Sequence, residues 1–293
     1  MRNILLFSIL LAIITASCIK DKNPPIPAYI FVPSFELTNL DPISQGSANH
    51  NFRDVWISVD GQIIGTNNIP TILPTMIADT STTQVVKIYP GIEKNGISSS
   101  RAVYPFMNPY EVNLDLVPGQ IDTLFPSFSY NPLAQFKIID DFEGPGVAFG
   151  EDLDLYPDSY MTNQSNVVFE GQGSGQLIFD SLSPICYVGS SADFSGLQSS
   201  TVASHVYLEF HYNTNIPVVV GLVAKKPGSN NEYFDKGGVN SSEGNWKKIY
   251  FVLTEDIYSL NGQSYQVYFR SGLSLNDTIT PKVYLDNIKL IHF

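Results

Sequence analysis

Two runs of alternating residues place side chains capable of recognition chemistry on single strand faces. In 205–212, His205, Tyr207, Glu209 and His211 alternate with Val206, Leu208, Phe210 and Tyr212. In 265–271, Gln266, Tyr268 and Arg270 oppose Val267 and Phe269. Successive strand side chains point to opposite faces, so each run has one apolar face and one polar, aromatic face. Tyrosine rings stack on the apolar faces of pyranose sugars, and carboxylate, imidazole and guanidinium groups bond to hydroxyls. If the two strands are neighbours, Tyr207, Glu209, His211, Tyr268 and Arg270 converge on one carbohydrate-recognising surface. The plain alternative is a solvated outer face.

Catalysis finds less material. Glycoside hydrolysis needs two carboxylates about 5–10 Å apart on one groove. Glu151, Asp152 and Asp154 come nearest, but Asp152 and Asp154 lie beside Gly150 and Pro157 in what reads as a loop, and with Asp158 the group reads as a solvated loop rather than a calcium site. The sequence holds no Gly-x-Ser-x-Gly elbow, no His-Glu-x-x-His and no phosphate-cradling loop. His205 and His211 share a face but stand too far apart for a simple ligand pair. The chemistry points to binding, not to an enzyme.

The elements that must position these groups are strands. The chain has 293 residues, 43% hydrophobic and only 15% charged, with 16 Tyr and 18 Phe. That is an aromatic, β-rich composition with room for two cores. Val55, Ile57 and Val59 alternate and meet Asp60-Gly61, a strong hairpin signal, before 62–65 returns. Val86 and Ile88 lie on a run expected to end at Pro90-Gly91. Val112, Leu114 and Leu116 alternate before a turn at Pro118-Gly119. Asn131-Pro132-Leu133 reads as a hinge. These signals predict an all-β chain with a sandwich over 28–130, a hinge over 131–135 and a second sandwich over 136–293. Tyr104, Phe106 and Tyr110 either pack the edge of the first sandwich or form a partner-binding loop. Trp246 precedes Ile249, Phe251 and Leu253 and reads as core or edge packing. Formal net charge is -12, which excludes nucleic acid and anionic headgroups as electrostatic partners.

The front of the chain supplies a different chemistry. Arg2 precedes an apolar run from Ile4 to Ile14, followed by Thr15-Ala16-Ser17 and Cys18. This is a signal-peptide layout, too short to span a bilayer. Residues 15–18 resemble the lipobox of bacterial lipoproteins, although Thr15 stands where Leu, Val or Ile is usual. The resemblance implies removal of 1–17 and a lipid on Cys18. Lys20-Asp21 resembles the export tag of Bacteroidota surface lipoproteins, which implies an outer-membrane protein facing the cell exterior. Residues 18–27, ending in 23–27, form a proline-rich tether. Cys186, the other cysteine, lies in the apolar run 182–188 and reads as a small buried hydrophobe.

Two further resemblances concern the sandwiches. Val59-Asp60-Gly61 with Tyr89-Pro90-Gly91 resembles PEGA or Ig-like surface modules, which serve as spacers or docking units. Asp140-Asp141-Phe142-Glu143-Gly144, the run 244–253 and Val283-Tyr284-Leu285-Asp286-Asn287-Ile288-Lys289-Leu290 resemble jelly-roll carbohydrate-binding modules of the galactose-binding-like type. That resemblance implies polysaccharide binding by 136–293 and a structural calcium at Glu143 and Asp286. The spacing of acids does not match the strand motif of laminarinase-like enzymes. Two functions follow as expectations: a non-catalytic surface lipoprotein that binds glycan, or a structural or docking subunit of an outer-membrane protein assembly.

Overall fold

The computed structural model describes residues 25–38, 40–77, 81–197, 205–274 and 279–293. Cys18 and the preceding apolar run lie outside them. The first half runs β1 (Ala28–Val32), β2 (Glu36–Leu37), helix α1 (Pro42–Gln45), β3 (Asp54–Val59), β4 (Gln62–Asn68), β5 (Thr71–Thr75), β6 (Gln84–Glu93), β7 (Arg101–Val103), β8 (Tyr110–Leu114), β9 (Ile121–Thr123) and β10 (Ser127–Phe128). The second half runs β11 (Gln135–Asp140), β12 (Glu151–Asp152), β13 (Tyr160–Gln164), β14 (Ser174–Ile178), β15 (Ile185–Gly189), β16 (Phe194–Ser195), β17 (Val206–Thr214), β18 (Val218–Lys225), β19 (Glu232–Val239), β20 (Lys247–Val252), helix α2 (Thr254–Leu260), β21 (Ser264–Gly272) and β22 (Val283–His292). The molecule is all-β, built of sandwiches.

In the first half, β4–β3–β6–β7, with β8 also on β6, faces the smaller sheet β5–β1–β9. Asp60 and Gly61 both have positive φ, 49° and 80°, as a two-residue hairpin between right-twisted strands requires. One turn signal is overridden. Pro90-Gly91 lies inside β6, which continues to Glu93. A Cβ on Gly91 would stand 2.5 Å from the Asp54 carboxylate, so glycine here admits a close approach rather than a turn. Asp54 itself is buried and paired to Arg101 at 3.2 Å.

In the second half two sheets pack face to face: β13–β14–β22–β17–β20, with β11 on β22, and β12–β15–β21–β18–β19, with β16 on β21. The chain passes repeatedly between the two sheets, as in a jelly roll. Alternation delivers Leu208, Phe210, Val218, Val220, Leu222, Phe251, Val267, Phe269 and Leu285 to the core between them, and an irregularity of β22 at Asn287, φ 50°, returns Ile288 to it. Cys186 joins that core, and burial pushes its thiol up to about 12.

The two halves share a core. Tyr207, Tyr250 and Ile291 of the second half pack with Phe52, Tyr104, Phe106 and Phe128 of the first. Tyr104 and Phe106 are fully buried and meet Tyr207 edge-on, with ring centroids 6.1 and 5.3 Å away. Of the two readings of this aromatic segment, packing is what Tyr104 and Phe106 do, against the chain's own second sandwich. Asn95 fastens the edge of β20 by donating to the Tyr250 carbonyl at 2.8 Å and accepting from the Val252 amide at 2.9 Å.

Candidate functional site

The structure separates the five residues expected to form one surface. β17 and β21 lie in opposite sheets, so their polar faces point to opposite sides of the sandwich. Tyr207, Glu209 and His211 occupy the outer face of β17, as alternation requires. The first sandwich covers Tyr207 and Glu209, Phe169 of the second half covers His211, and the three side chains are 3%, 1% and 2% exposed.

There they form an ion cluster rather than a ligand site. Glu209 accepts from the Tyr104 hydroxyl and pairs with Lys248 at 3.2 Å and Lys289 at 3.8 Å. Lys289 also donates to Tyr130 Oη at 3.0 Å and the Gln45 carbonyl at 3.2 Å; Lys248 donates to the Asn49 carbonyl at 2.7 Å. Burial pushes both ammonium groups below the usual lysine range, and Glu209 opposes that shift. Every charge has a partner from the other half of the chain, which is what keeps buried charge tolerable. His211 stacks on Phe169 at 3.8 Å, and burial followed by the two lysines lowers its imidazole to about 2.

The outer face of the other sheet is open. Tyr187 on β15, Arg270 on β21, and Tyr233 and Asp235 on β19 line a cleft of about 550 Å³, with Leu153 and Phe234 at its margins. Cross-strand register builds it: Tyr187 is opposite Arg270, Tyr268 opposite Gly221, and Gly221 opposite Asp235. Tyr268 is fully buried and lies flat over Gly221, where an added Cβ would stand 2.1 Å from its ring. Its hydroxyl donates to Asp235 Oδ1, while Arg270 holds Oδ2 at 2.6 Å. Tyr268 is therefore a strut beneath the cleft that aims the carboxylate, not a wall residue. The Arg270 guanidinium sits 5.5 Å over the Tyr187 ring. Tyr187 and Tyr233 stand nearly edge to face at 6.3 Å and 73°, and Tyr233 is 53% exposed. Burial first, then the Asp235 hydrogen bond, raises the Tyr268 hydroxyl; burial raises that of Tyr187. Both stay protonated donors near neutrality.

The cleft thus offers an exposed aromatic ring, a second ring at its side, and a carboxylate–guanidinium pair with free lone pairs and N–H groups. Tyr187 was legible as the outward residue between Cys186 and Val188. Tyr233 and Asp235 alternate around Phe234 in a stretch that carries no strong strand signal.

The acids named for calcium meet on one loop. Glu143 accepts from the Gln172 amide at 2.8 Å and Gly173 at 3.3 Å; Asp286 Oδ2 accepts from Phe169 at 3.2 Å and Glu170 at 3.3 Å. Backbone N–H groups thus occupy Glu143 and Asp286 Oδ2. Asp286 Oδ1 is buried without a hydrogen-bond partner, and burial raises this carboxyl to about 7. Among the described residues, no group of three or more His, Cys, Asp or Glu is placed to hold a metal. In the other acidic run, Asp154 accepts from the Tyr156 and Tyr187 amides at 2.7 Å and fixes a loop. Trp246 is half-buried, 5.8 Å from Phe169.

No family model matches the chain, and no curated protein matches it. Solved structures similar to it include carbohydrate-binding modules. A module described for promiscuous specificity within the β-sandwich superfamily is 12% identical, covers 92% of this chain and 98% of its own, with a TM-score of 0.37. A xylan-binding domain from Paenibacillus barcinonensis is 11% identical over 53% of this chain and 94% of its own, at 0.36. The enzymatically active domain of a bacteriophage CBA120 tailspike protein is 10% identical over 51% of this chain, which spans 20% of that one, at 0.37. At TM-scores this low the likenesses bear no weight for function, which must come from the cleft itself.

Proposed function

We propose that the protein is a non-catalytic, lipid-anchored surface protein that binds a glycan in the cleft of Tyr187, Tyr233, Asp235 and Arg270. One observation carries this: an open cleft on a sheet face combines exposed tyrosine with a fixed carboxylate–guanidinium pair. Pyranose rings need an apolar platform and hydroxyl partners together, and both are within one cleft. Tyr268 and Gly221 hold the arrangement from below. Cys18 supplies the anchor, and several acyl chains at about 0.8 kcal/mol per buried CH₂ would hold it firmly. Lys20-Asp21 after Cys18 supports the outer membrane, facing outward, as the location, in the manner of Bacteroidota lipoproteins. The first sandwich, with its Asp60-Gly61 hairpin, acts as the spacer.

Calcium enters the proposal through Asp286 Oδ1, the carboxylate oxygen left without a hydrogen bond; a cation there would also need carbonyls from 167–173. If calcium is resident, chelation lowers the melting temperature, and an unchanged curve removes it. The docking-subunit alternative no longer draws on Tyr104 and Phe106, which are buried within the chain.

The glycan reading is tested by affinity electrophoresis of the chain lacking residues 1–18 through gels containing a broad polysaccharide panel. Retardation by at least one polysaccharide is expected. No retardation by any would sink the reading.

A further inference from the structure

The β5–β1–β9 sheet has a second face that the core of the described residues does not use. Its inner face is core: Ala28, Ile30 and Val32 are fully buried. In an antiparallel or mixed sheet that met only water on its other side, the alternate residues would be polar. Here they are Tyr29 and Phe31 on β1, Ile72 and Pro74 on β5, and Ile121 and Thr123 on β9. The same alternation brings Met76 and Phe125 to this side just beyond the strand ends. Phe31 is opposite Ile72 on one flank and Tyr29 opposite Ile121 on the other, so the side chains are contiguous across three strands. Ile72, Met76, Ile121 and Phe125 are 47%, 56%, 57% and 66% exposed. No outer position of the three strands carries a charge, in a chain of net charge -12. A contiguous apolar face of this kind is a contact surface for something.

The chain's own geometry says for what. β1 enters the fold at this sheet, where the Gly119 amide donates to the Pro27 carbonyl at 2.8 Å and the Tyr29 amide to Gln120 at 2.9 Å. Ten residues lead from Cys18 to Ala28. Fully extended they reach about 36 Å, close to the diameter of a domain of ~100 residues with a radius of gyration of ~13 Å. A protein anchored at Cys18 cannot stand off further than its own first sandwich is wide. Acidic faces are repelled by anionic headgroups; an uncharged face of Tyr, Phe and Ile is not, and aromatic side chains favour the headgroup level.

We propose that this face docks on the lipid surface that holds the Cys18 acyl chains, with Tyr29, Phe31, Ile72, Met76, Ile121 and Phe125 seated at its interface. This rests on the lipid-anchor part of the proposed function. It sets the orientation of the molecule: the first sandwich lies on the membrane, not upright on a tether.

The chain from residue 18 onward can be coupled through its Cys18 thiol to maleimide phospholipid in phosphatidylcholine vesicles. Buried Cys186 does not compete. The increment in tryptophan emission over the parent protein is then read for F125W and for I43W, whose site is 91% exposed and lies on α1, beside β11 of the second sandwich. F125W is expected to shift to the blue on vesicles and to be quenched by brominated acyl chains, and I43W to show neither. Adding I72E and I121E to F125W should abolish the shift while leaving the melting temperature unchanged. Equal emission from F125W and I43W on pure lipid overturns the proposal. So does a blue shift seen only on native outer-membrane fragments, which would assign the face to a protein partner. Chemical coupling does not depend on cellular lipidation, so failure here is distinct from failure of the anchor, which shows as membrane release unaffected by Cys18→Ala in cells.

Discussion

The two outer faces of the second sandwich carry similar residues and have opposite fates. β17 presents Tyr207, Glu209 and His211; the other sheet presents Tyr187, Asp235 and Arg270. On β17 the first sandwich closes over the face, and the acid is enclosed by Tyr104, Lys248 and Lys289. Across the sandwich no described residue closes the cleft, and the acid is held half-exposed by Tyr268 and Arg270. Tyrosine beside an acid and a base is therefore not in itself a sugar site. In one place the group cements two sandwiches, and in the other it is free to meet a ligand. What decides is the neighbour, and the neighbour is more than 70 residues away in sequence for every interface contact named above.

The contrast breaks most visibly at Glu209. Glu209→Ala leaves two buried ammonium groups without their carboxylate. Unpairing buried charge costs about 3–5 kcal/mol, and the loss should appear in urea unfolding as a lower midpoint. Asp235→Ala, on the open face, should leave that midpoint nearly unchanged. Equal midpoints for the two variants would mean the β17 cluster is not a structural cement.

Gly221→Ala comes next. Its methyl would meet the Tyr268 ring at 2.1 Å and the Phe234 carbonyl at 2.3 Å, and overpacking of this kind costs about 1–3 kcal/mol. Thermal unfolding should register that loss. The displaced Tyr268 should also release Asp235, so glycan retardation weakens with it.

A third effect follows from pH. His211 is held near 2 in the fold, against about 6.5 unfolded. The unfolded chain therefore binds its proton more readily between these values, and the histidine's contribution to stability is lost as pH falls through them. Asp286, opposite His211 in register and raised to about 7, acts the other way: its contribution is lost as pH rises from about 4 to 7. Each slope is about 1.4 kcal/mol per pH unit, so between pH 4 and 6.5 they offset one another. Relative to the parent protein, His211→Phe should lose stability as pH rises through that window, because only the His211 contribution is removed. A variant-minus-parent difference that does not change with pH would contradict this ionisation state.

Much of this was legible in the sequence. Alternation gave the strand faces: Val206, Leu208 and Phe210 point to the core and Tyr207, Glu209 and His211 away from it. Asp60-Gly61 gave its hairpin, because left-handed dihedrals demand those residue types. Pro90-Gly91 misled, since glycine was needed there for proximity to Asp54, a long-range cause that local turn chemistry cannot express. The five-residue surface failed for a related reason. Period-two patterning says which side chains share a face, but not which strands are neighbours or what lies over them. Tyr233 and Asp235 were missed because β19 contains Gly237-Gly238 and a register shift opposite Val220/Gly221, which weaken the strand signature.

The central claim is that the open face, not the covered one, binds glycan. The most direct measurement is affinity electrophoresis of Tyr187→Ala and Tyr233→Ala beside Tyr207→Phe, in a polysaccharide gel that retards the parent chain. Losing a stacking ring at about 0.5–1.5 kcal/mol each should weaken retardation several-fold in both cleft variants, with melting temperatures unchanged, while Tyr207→Phe migrates as the parent does. Full retardation of the two cleft variants would contradict the account and place the binding surface elsewhere.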